Sequence, residues 1–242
     1  MKPKIKFILL SLFLAQSALI KAYVPPFINI TSFDSVFETH LNFGFGTVGA
    51  EQSLSIALSD NTHAFFNSTF SIDSMNIKDA KYSHKFFSIG YGYHIRSEYS
   101  SWTTTINGGY TYGEFGAAYN STEEYWHSDE LFGYDHPSYN NISFRAHRIF
   151  INLHQGVTLK NFEAFVGASI SVGDYRSFNY NDPIIFNSRI VFEPDITVKT
   201  GFDKMKVFIQ LKHSFNNFHY TDFTFPLGNI YATFGLEIQL IK

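Results

Sequence analysis

Apolar and polar residues alternate along most of the chain from Val36 onward. In each alternating segment the apolar residues occupy one parity, and small or polar residues occupy the other. Because successive side chains of a β-strand point to opposite faces, this period of two predicts strands with one apolar and one polar face. Ten segments carry the pattern: residues 37–45, 51–58, 63–72, 87–94, 102–112, 148–154, 163–172, 190–199, 207–214 and 230–240.

The connections between these segments fall into a short set and a longer set that alternate along the chain. The short connections are Ser59 to Thr62, Arg96 to Ser101, Lys160 to Asn161 and Gly201 to Lys204. The other connections are residues 46–49, 74–81, 114–140, 176–187 and 216–227, of which all but the first are longer. Short turns on one rim and long loops on the other are typical of outer-membrane barrels. We therefore predict an all-β fold: a closed antiparallel transmembrane β-barrel of about ten strands, with short periplasmic turns and longer extracellular loops.

Composition favours a membrane barrel over a soluble sandwich or a lipocalin-like barrel. Aromatic residues make up 19 % of the chain, with 28 Phe and 15 Tyr, although charged residues make up only 16 %. The mean hydropathy is -0.08. The polar parity is rich in Gly, Ser, Thr and Asn and has few Lys or Arg, whereas the polar face of a soluble sheet would meet water. This combination fits strands that contact lipid on one face only.

The first residues of the chain indicate export. Lys2, Lys4 and Lys6 precede a short apolar run from Phe7 to Ala15, and this order predicts a signal peptide over residues 1–22. A periplasmic N-terminal segment over residues 23–35 and the barrel over residues 36–242 would follow. The chain has no cysteine, which excludes a disulfide or thiolate metal site, and we expect no lipid anchor by that route. The predicted location is the bacterial outer membrane.

Several short motifs along the chain resemble those of a known protein family. They include Tyr23-Val-Pro-Pro-Phe, the run from Ala57 to Asn67, Gly90-Tyr-Gly-Tyr, Phe192-Glu-Pro and Phe234-Gly-Leu. With these motifs the chain resembles a family of small, mostly uncharacterised outer-membrane barrel proteins from Bacteroidota. The resemblance covers most of the chain after the predicted signal peptide, and it implies the barrel fold without implying an activity.

The polar parity, which would face the interior of a barrel, carries both acidic and basic side chains. Buried charges must be paired or hydrated, so this set predicts a network of ion pairs and hydrogen bonds in the lumen, with a selective path for an ion or small solute as the alternative. The candidate lumen network consists of Glu38, His40, Glu51, His63, Arg148, His154, Glu193, Asp195, Lys199, Lys212 and Glu237.

The longest predicted loop holds a second polar cluster. Its candidate residues are His127, Asp129, Asp135 and His136. Histidines and carboxylates together could bind a divalent metal or activate water, but their spacing in a loop predicts no metal geometry, and a solvated polar loop is the simpler interpretation. We therefore assign no catalytic, metal-binding or cofactor-binding residue, expect no cofactor, and predict that the protein is not an enzyme.

Three functions are consistent with these features. The first is a structural or interaction role, including that of an accessory subunit in a larger outer-membrane complex. The second is a narrow, porin-like channel or small-solute transporter, and the third is an envelope enzyme that modifies lipid or peptide. The expected partners are outer-membrane lipid and other outer-membrane proteins. A formal net charge of -3 and the lack of a basic aromatic surface predict no nucleic-acid partner.

Overall fold

The computed structural model describes residues 33–46, 49–71, 75–77, 80–97, 101–119, 141–177, 185–202, 204–216 and 230–241. The predicted signal peptide and most of the predicted N-terminal segment lie outside these residues. Within the described part of the chain, no helix is both long and apolar enough to cross a membrane.

Ten strands form the wall of the molecule, and they match the ten segments that the alternation predicts. In chain order they are β1 (Thr39–Gly46), β2 (Gly49–Ala57), β3 (Thr62–Phe70), β4 (Ala80–Arg96), β5 (Trp102–Tyr119), β6 (Asn141–Leu159), β7 (Phe162–Ser177), β8 (Ile185–Phe202), β9 (Met205–His213) and β10 (Ile230–Ile241). Two short pieces extend the wall: Met75–Ile77 pairs with β4, and Phe215–Asn216 pairs with β8.

The sheet closes on itself. Each strand pairs antiparallel with its neighbours in the chain, and β10 pairs with both β9 and β1. In the final seam Phe43 lies opposite Leu236, and Phe45 lies opposite Phe234. Closure leaves no unpaired edge along these strands, which is the arrangement that a membrane barrel requires. The predicted closed antiparallel barrel is confirmed.

The predicted division of each strand into two faces is also confirmed. On β6, Ile149, Ile151 and Leu153 are 71 %, 55 % and 54 % exposed, whereas Arg148 and His154 are 1 % and 0 % exposed. The apolar parity therefore faces outward and the polar parity faces the interior, which is the reverse of a soluble globular core.

The wall is taller on one side than the sequence pattern indicates. Strands β4 to β8 are 16 to 19 residues long, whereas β1, β2, β3 and β9 have eight or nine. Strand β4 begins at Ala80 instead of near Phe87, and β5 continues past Glu114 to Tyr119. The loop predicted to begin at Glu114 therefore begins later. Inward-facing aromatic rings in these extensions interrupt the simple alternation and conceal the strand ends.

Candidate functional site

The interior of the barrel is the candidate site that the described residues define best. Every residue of the predicted lumen network is buried, and none is more than 5 % exposed. The second predicted cluster, His127, Asp129, Asp135 and His136, lies outside the described residues.

Four adjacent strands, β7 to β10, bring two glutamates and two lysines together at the end of the barrel that carries the short turns. Lys199 Nζ on β8 lies 2.6 Å from Glu237 Oε2 on β10 and 3.8 Å from Glu163 Oε2 on β7. Lys206 Nζ on β9 lies 2.6 Å from Glu163 Oε1. His40 Nδ1 on β1 lies 3.4 Å from Glu237 Oε1 and extends the network across the seam. Each of these buried charges thus has an oppositely charged neighbour, as burial requires.

The network continues into the turn that precedes β1. Glu38 Oε2 accepts hydrogen bonds from the backbone N–H groups of Asp34 at 2.7 Å and Ser35 at 3.1 Å. Its Oε1 lies 2.6 Å from His40 Nε2 and accepts a hydrogen bond of 2.8 Å from Gln239 Nε2. The Glu38 carboxylate therefore links Asp34 and Ser35, which precede the barrel, to both the first and the last strand.

These contacts also affect the ionisation of Glu38. Burial alone would raise the pKa of this carboxyl group. The hydrogen bonds from His40 and from the backbone of Asp34 and Ser35 favour the charged form, and together they hold the pKa of Glu38 below its usual value. Glu38 is thus a carboxylate that the fold keeps ionised.

Phe33 closes the barrel near this turn. Its side chain is 5 % exposed, and its ring centroid lies 5.3 Å from that of His40, 5.1 Å from that of His63 and 5.7 Å from that of His94. Phe33 belongs to the segment predicted to precede the barrel, yet its ring packs inside. Three imidazole rings thus surround an aromatic plug at the short-turn end.

A second group of pairs occupies the middle of the lumen. Arg148 Nη2 donates to Glu193 Oε2 at 2.9 Å, and Arg148 Nε donates to Ser171 Oγ at 3.1 Å. His154 Nε2 lies 2.8 Å from Asp195 Oδ2. These contacts join β6 to β8 across β7, so the interior ties together strands that share no backbone hydrogen bonds.

The two remaining charged residues of the predicted network also face inward. Lys212 on β9 is the cross-strand partner of Asp195 on β8, and opposite charges in this position attract each other. Glu51 on β2 lies between Gly44 on β1 and Thr69 on β3 in the register of the sheet. Both are buried, so the charged interior extends from β6 through the seam to β2.

Large inward side chains lie directly opposite inward glycines. A Cβ atom built at Gly113, for example, would overlap the ring of Phe86, its cross-strand partner. Because Gly113 has no side chain, the ring of Phe86 can pack against its backbone. The same pairing occurs at Phe65/Gly90, Phe150/Gly109, Phe165/Gly156, Phe208/Gly235, His63/Gly92, His154/Gly167 and Arg148/Gly173.

A stack of rings fills the lumen toward the end that carries the longer loops. The centroids of Phe86 and Phe115 are 6.3 Å apart, those of Phe115 and Phe144 are 5.4 Å apart, and those of Phe115 and Tyr175 are 6.2 Å apart. All four side chains are buried. The interior is therefore occupied by rings at this end, by ion pairs in the middle, and by Phe33 and its imidazole neighbours at the other end.

The sequence prediction did not include the inward aromatic residues, because it assigned the inner parity to small and polar side chains. The glycines on that parity were a usable signal, since an inner-face glycine leaves room for a large partner. Which residue fills that room depends on the strand register, which the period of two does not specify.

The inward charged groups are arranged mainly as ion pairs. Within the described residues, no group of three or more His, Asp or Glu side chains is placed to hold a metal ion. The carboxylates at the centre of the lumen contact Lys, Arg or His, and such contacts hold them as ion-pair partners.

Comparison with known proteins gives no family. No family model matches the chain, and no curated protein matches it. Among solved structures, the chain is similar to the translocator domain of the autotransporter NalP from Neisseria meningitidis. The identity is 11 %, the match covers 84 % of this chain and 86 % of that one, and the TM-score is 0.38. A likeness this distant carries no information about function. What the structure shows is the fold itself, a closed antiparallel β-barrel of ten strands.

Proposed function

We propose that this chain is a bacterial outer-membrane protein with a structural or interaction role, for example as an accessory subunit of a larger outer-membrane complex. The observation that carries the proposal is the filled interior. A barrel whose lumen is packed with paired charges and aromatic rings presents its outer wall and its rims to other molecules, and these surfaces would carry its function.

The height of the outer apolar band supports insertion in a membrane. On β7 the outward residues from Phe162 to Val172 are all apolar. Ten residues at about 3.4 Å each, in a strand tilted by about 40°, span about 25 Å along the barrel axis. This height is that of the apolar band of outer-membrane barrels. The resemblance to small outer-membrane barrels of Bacteroidota agrees with this location.

A narrow channel is the second candidate, and the buried charged residues that occur along the lumen from Glu38 to Arg148 are the observation that favours it. Ion paths through proteins are often lined by charged groups. Here, however, the stack formed by Phe86, Phe115, Phe144 and Tyr175 lies across the same lumen. We therefore expect the native barrel to be closed.

Two measurements test the proposal together. Extraction of the native membrane in mild detergent, followed by size analysis and protein identification, should show the chain in a complex larger than the single barrel. Planar-bilayer recordings of the purified protein should show no steady conductance. The triple variant Phe86→Ala/Phe115→Ala/Phe144→Ala serves as the positive control, because it removes the ring stack and should conduct. Migration as a lone barrel together with steady wild-type conductance would replace the proposal with the channel.

A further inference from the structure

Four charged residues form a patch on the outer wall, where the longer strands rise above the apolar band. Lys85 on β4, Glu114 on β5, Arg145 on β6 and Arg176 on β7 are successive cross-strand partners on the outward parity. We call these four residues the rim patch. The rim patch contains three cations and one carboxylate, and the exposed carboxylate of Asp174 lies beside it on β7, so this part of the surface has a net formal charge of one positive unit.

The carboxylate of Glu114 forms ion pairs with two of the cations, Lys85 and Arg145. Glu114 Oε2 lies 2.8 Å from Lys85 Nζ, and Glu114 Oε1 lies 3.3 Å from Arg145 Nε. The hydroxyl of Tyr112 donates to the same Oε1 at 3.1 Å. Lys85 and Arg145 remain 56 % and 52 % exposed, so both are held in place while facing the surroundings of the barrel.

The two arginines of the rim patch lie directly opposite each other on adjacent strands. Both face outward, and like charges in this position repel and destabilise a sheet. The carboxylates of Glu114 and Asp174 lie beside the two arginines and offset part of the repulsion, and an anion bound between the guanidinium groups would offset more of it. A phosphate group suits the position best, because guanidinium groups bind phosphate oxygens through paired, charge-assisted hydrogen bonds.

The position of the rim patch along the strands identifies the source of that phosphate. On β4 the outward residues between the short turn and Lys85 are Ile95, Tyr93, Tyr91, Ile89 and Phe87, all apolar or aromatic. On β7 the apolar run from Phe162 to Val172 is followed by Asp174 and then Arg176. The charges thus begin where about 25 Å of apolar wall ends, and this is the level of lipid headgroups.

The neighbouring strand carries no such charges where its outward side chains are described. On β8, Ile190 and Phe192 are exposed and apolar, and they pair with Val172 and Ile170 of the apolar band on β7. Among the described side chains, the outward Lys and Arg residues near the long-loop end are Lys85, Arg145 and Arg176. A diffuse attraction to any anionic surface would not need such a one-sided arrangement.

We propose that the rim patch binds the phosphate group of a lipid in the leaflet on the long-loop side, with Arg145 and Arg176 holding the phosphate and Lys85 adding charge. The inference rests on the proposed location in a membrane. Directly below the patch, the ring of Tyr112 lies 5.2 Å from that of His147, and Tyr110 hydrogen-bonds His147. These side chains provide an amphipathic surface for the part of the lipid between headgroup and acyl chains.

The test measures lipid binding to the full chain in a non-ionic detergent by native mass spectrometry. Phosphatidic acid is the probe, because its headgroup is a bare phosphate, and phosphatidylcholine is the reference lipid. The test variant is Arg145→Gln/Arg176→Gln. Its matched control is Arg96→Gln/Lys204→Gln, which removes the same charge from exposed residues at the short-turn end.

The wild-type barrel should bind phosphatidic acid more tightly than phosphatidylcholine. Two cations at a membrane surface contribute enough attraction that their loss should weaken phosphatidic acid binding roughly thirtyfold. The control variant should keep the wild-type affinity. Equal losses in the two variants, or no wild-type preference, would overturn the inference.

Two further results would also overturn it. The first is complete displacement of phosphatidic acid by an equal concentration of inorganic phosphate, which would show that the lipid is not the ligand. The second is a co-migrating protein that the test variant loses while it keeps phosphatidic acid, which would make the patch a protein contact. Insertion of the wild type into phosphatidylcholine vesicles is measured in parallel. Failure to insert would contradict the proposed membrane location, whereas insertion without lipid preference would contradict only the rim patch.

Discussion

The inner and outer faces of the barrel wall are built from the same strands, and they depend on different interactions. On β6, Arg148 faces inward and contacts Glu193 at 2.9 Å, whereas its neighbour Ile149 faces outward and is 71 % exposed. The inner residue depends on one particular partner at one particular distance. The outer residue depends only on the polarity of its surroundings. The inner face should therefore be sensitive to the identity of single residues, and the outer face, in the proposed membrane location, to depth in the bilayer.

The largest effect should come from removing one partner of a buried inner pair. Glu193→Ala leaves the guanidinium group of Arg148 buried with its carboxylate partner gone, which should lower the free energy of unfolding by about 3–5 kcal/mol. Urea unfolding of the barrel in lipid vesicles would measure the loss.

A matched double variant separates lost charge pairing from lost packing. In Arg148→Met/Glu193→Leu both charges are absent and the volume is largely kept, so the stability should return to within about 1–2 kcal/mol of the wild type. If the double variant is as unstable as Glu193→Ala, then packing around these side chains, and not their charge, determines the stability of the inner face.

On the outer face, the cost of a charge should depend on depth. Leu153 lies near the middle of the outward residues Ile149 to Leu159 of β6, which are apolar except for Gln155, and Leu159 lies at the short-turn end; both leucines are about half exposed. Leu153→Arg should therefore cost about 2–4 kcal/mol and Leu159→Arg about 0–1 kcal/mol, measured by the same unfolding assay. Equal costs at the two positions would mean that this wall does not face a lipid bilayer.

Adjacent glycines allow the two faces to be compared with a single methyl group. Gly109 faces inward, and a Cβ atom there would meet the ring of Phe150 and the backbone of Ile89. Gly108 faces outward, where the same atom would meet only the Phe150 carbonyl oxygen, at 3.8 Å. Gly109→Ala should cost about 1–3 kcal/mol through overpacking. Gly108→Ala should be neutral or stabilising by up to about 1 kcal/mol. Thermal unfolding of the two variants should rank them in this order, and the reverse order would contradict the inward packing.

The difference between the two faces also explains what the sequence could and could not predict. A side chain that faces lipid needs only to be apolar. Apolar residues at every second position of β7, such as Val166 and Ile170, therefore show both that the segment is a strand and which of its faces points outward. The closed barrel follows from ten such patterns and their connections. Inward aromatic residues such as Phe86 and Phe115 break the alternation. For this reason the predicted β4 begins too late and the predicted β5 ends too early.

The pairing inside the barrel could not be predicted at the same level. Glu163 on β7 contacts Lys206 on β9 across the intervening strand β8 at 2.6 Å, although the two residues are 43 positions apart. Composition showed that the inner charges needed partners, but the choice of partner depends on register and on the curvature of the closed sheet. Phe33 is a similar case, because its place inside the barrel depends on a turn fixed by the Glu38 carboxylate.

The smallest expected effect lies at Glu38, where the inner face meets the short-turn end. The pKa of Glu38 is lowered in the folded state, so the charged carboxylate stabilises the turn. This contribution is fully present above the unfolded carboxyl pKa of about 4.3 and is lost as the pH falls through the lower folded value. Loss of these hydrogen bonds should reduce the exchange protection of the Asp34 and Ser35 amides by roughly fivefold, or about 1 kcal/mol.

Amide exchange measured between pH 5 and pH 3, and corrected for the intrinsic rates, would detect this change at Asp34 and Ser35. Glu38→Gln provides the control, since its amide oxygen can still accept hydrogen bonds but cannot titrate in this range. Its protection should be reduced at pH 5 and should not change with pH. A pH-dependent loss that persists in Glu38→Gln would assign the effect to another carboxyl group. A loss abolished by the substitution would show that this one carboxylate holds the entry turn, and through it Phe33, against the inner face of the barrel.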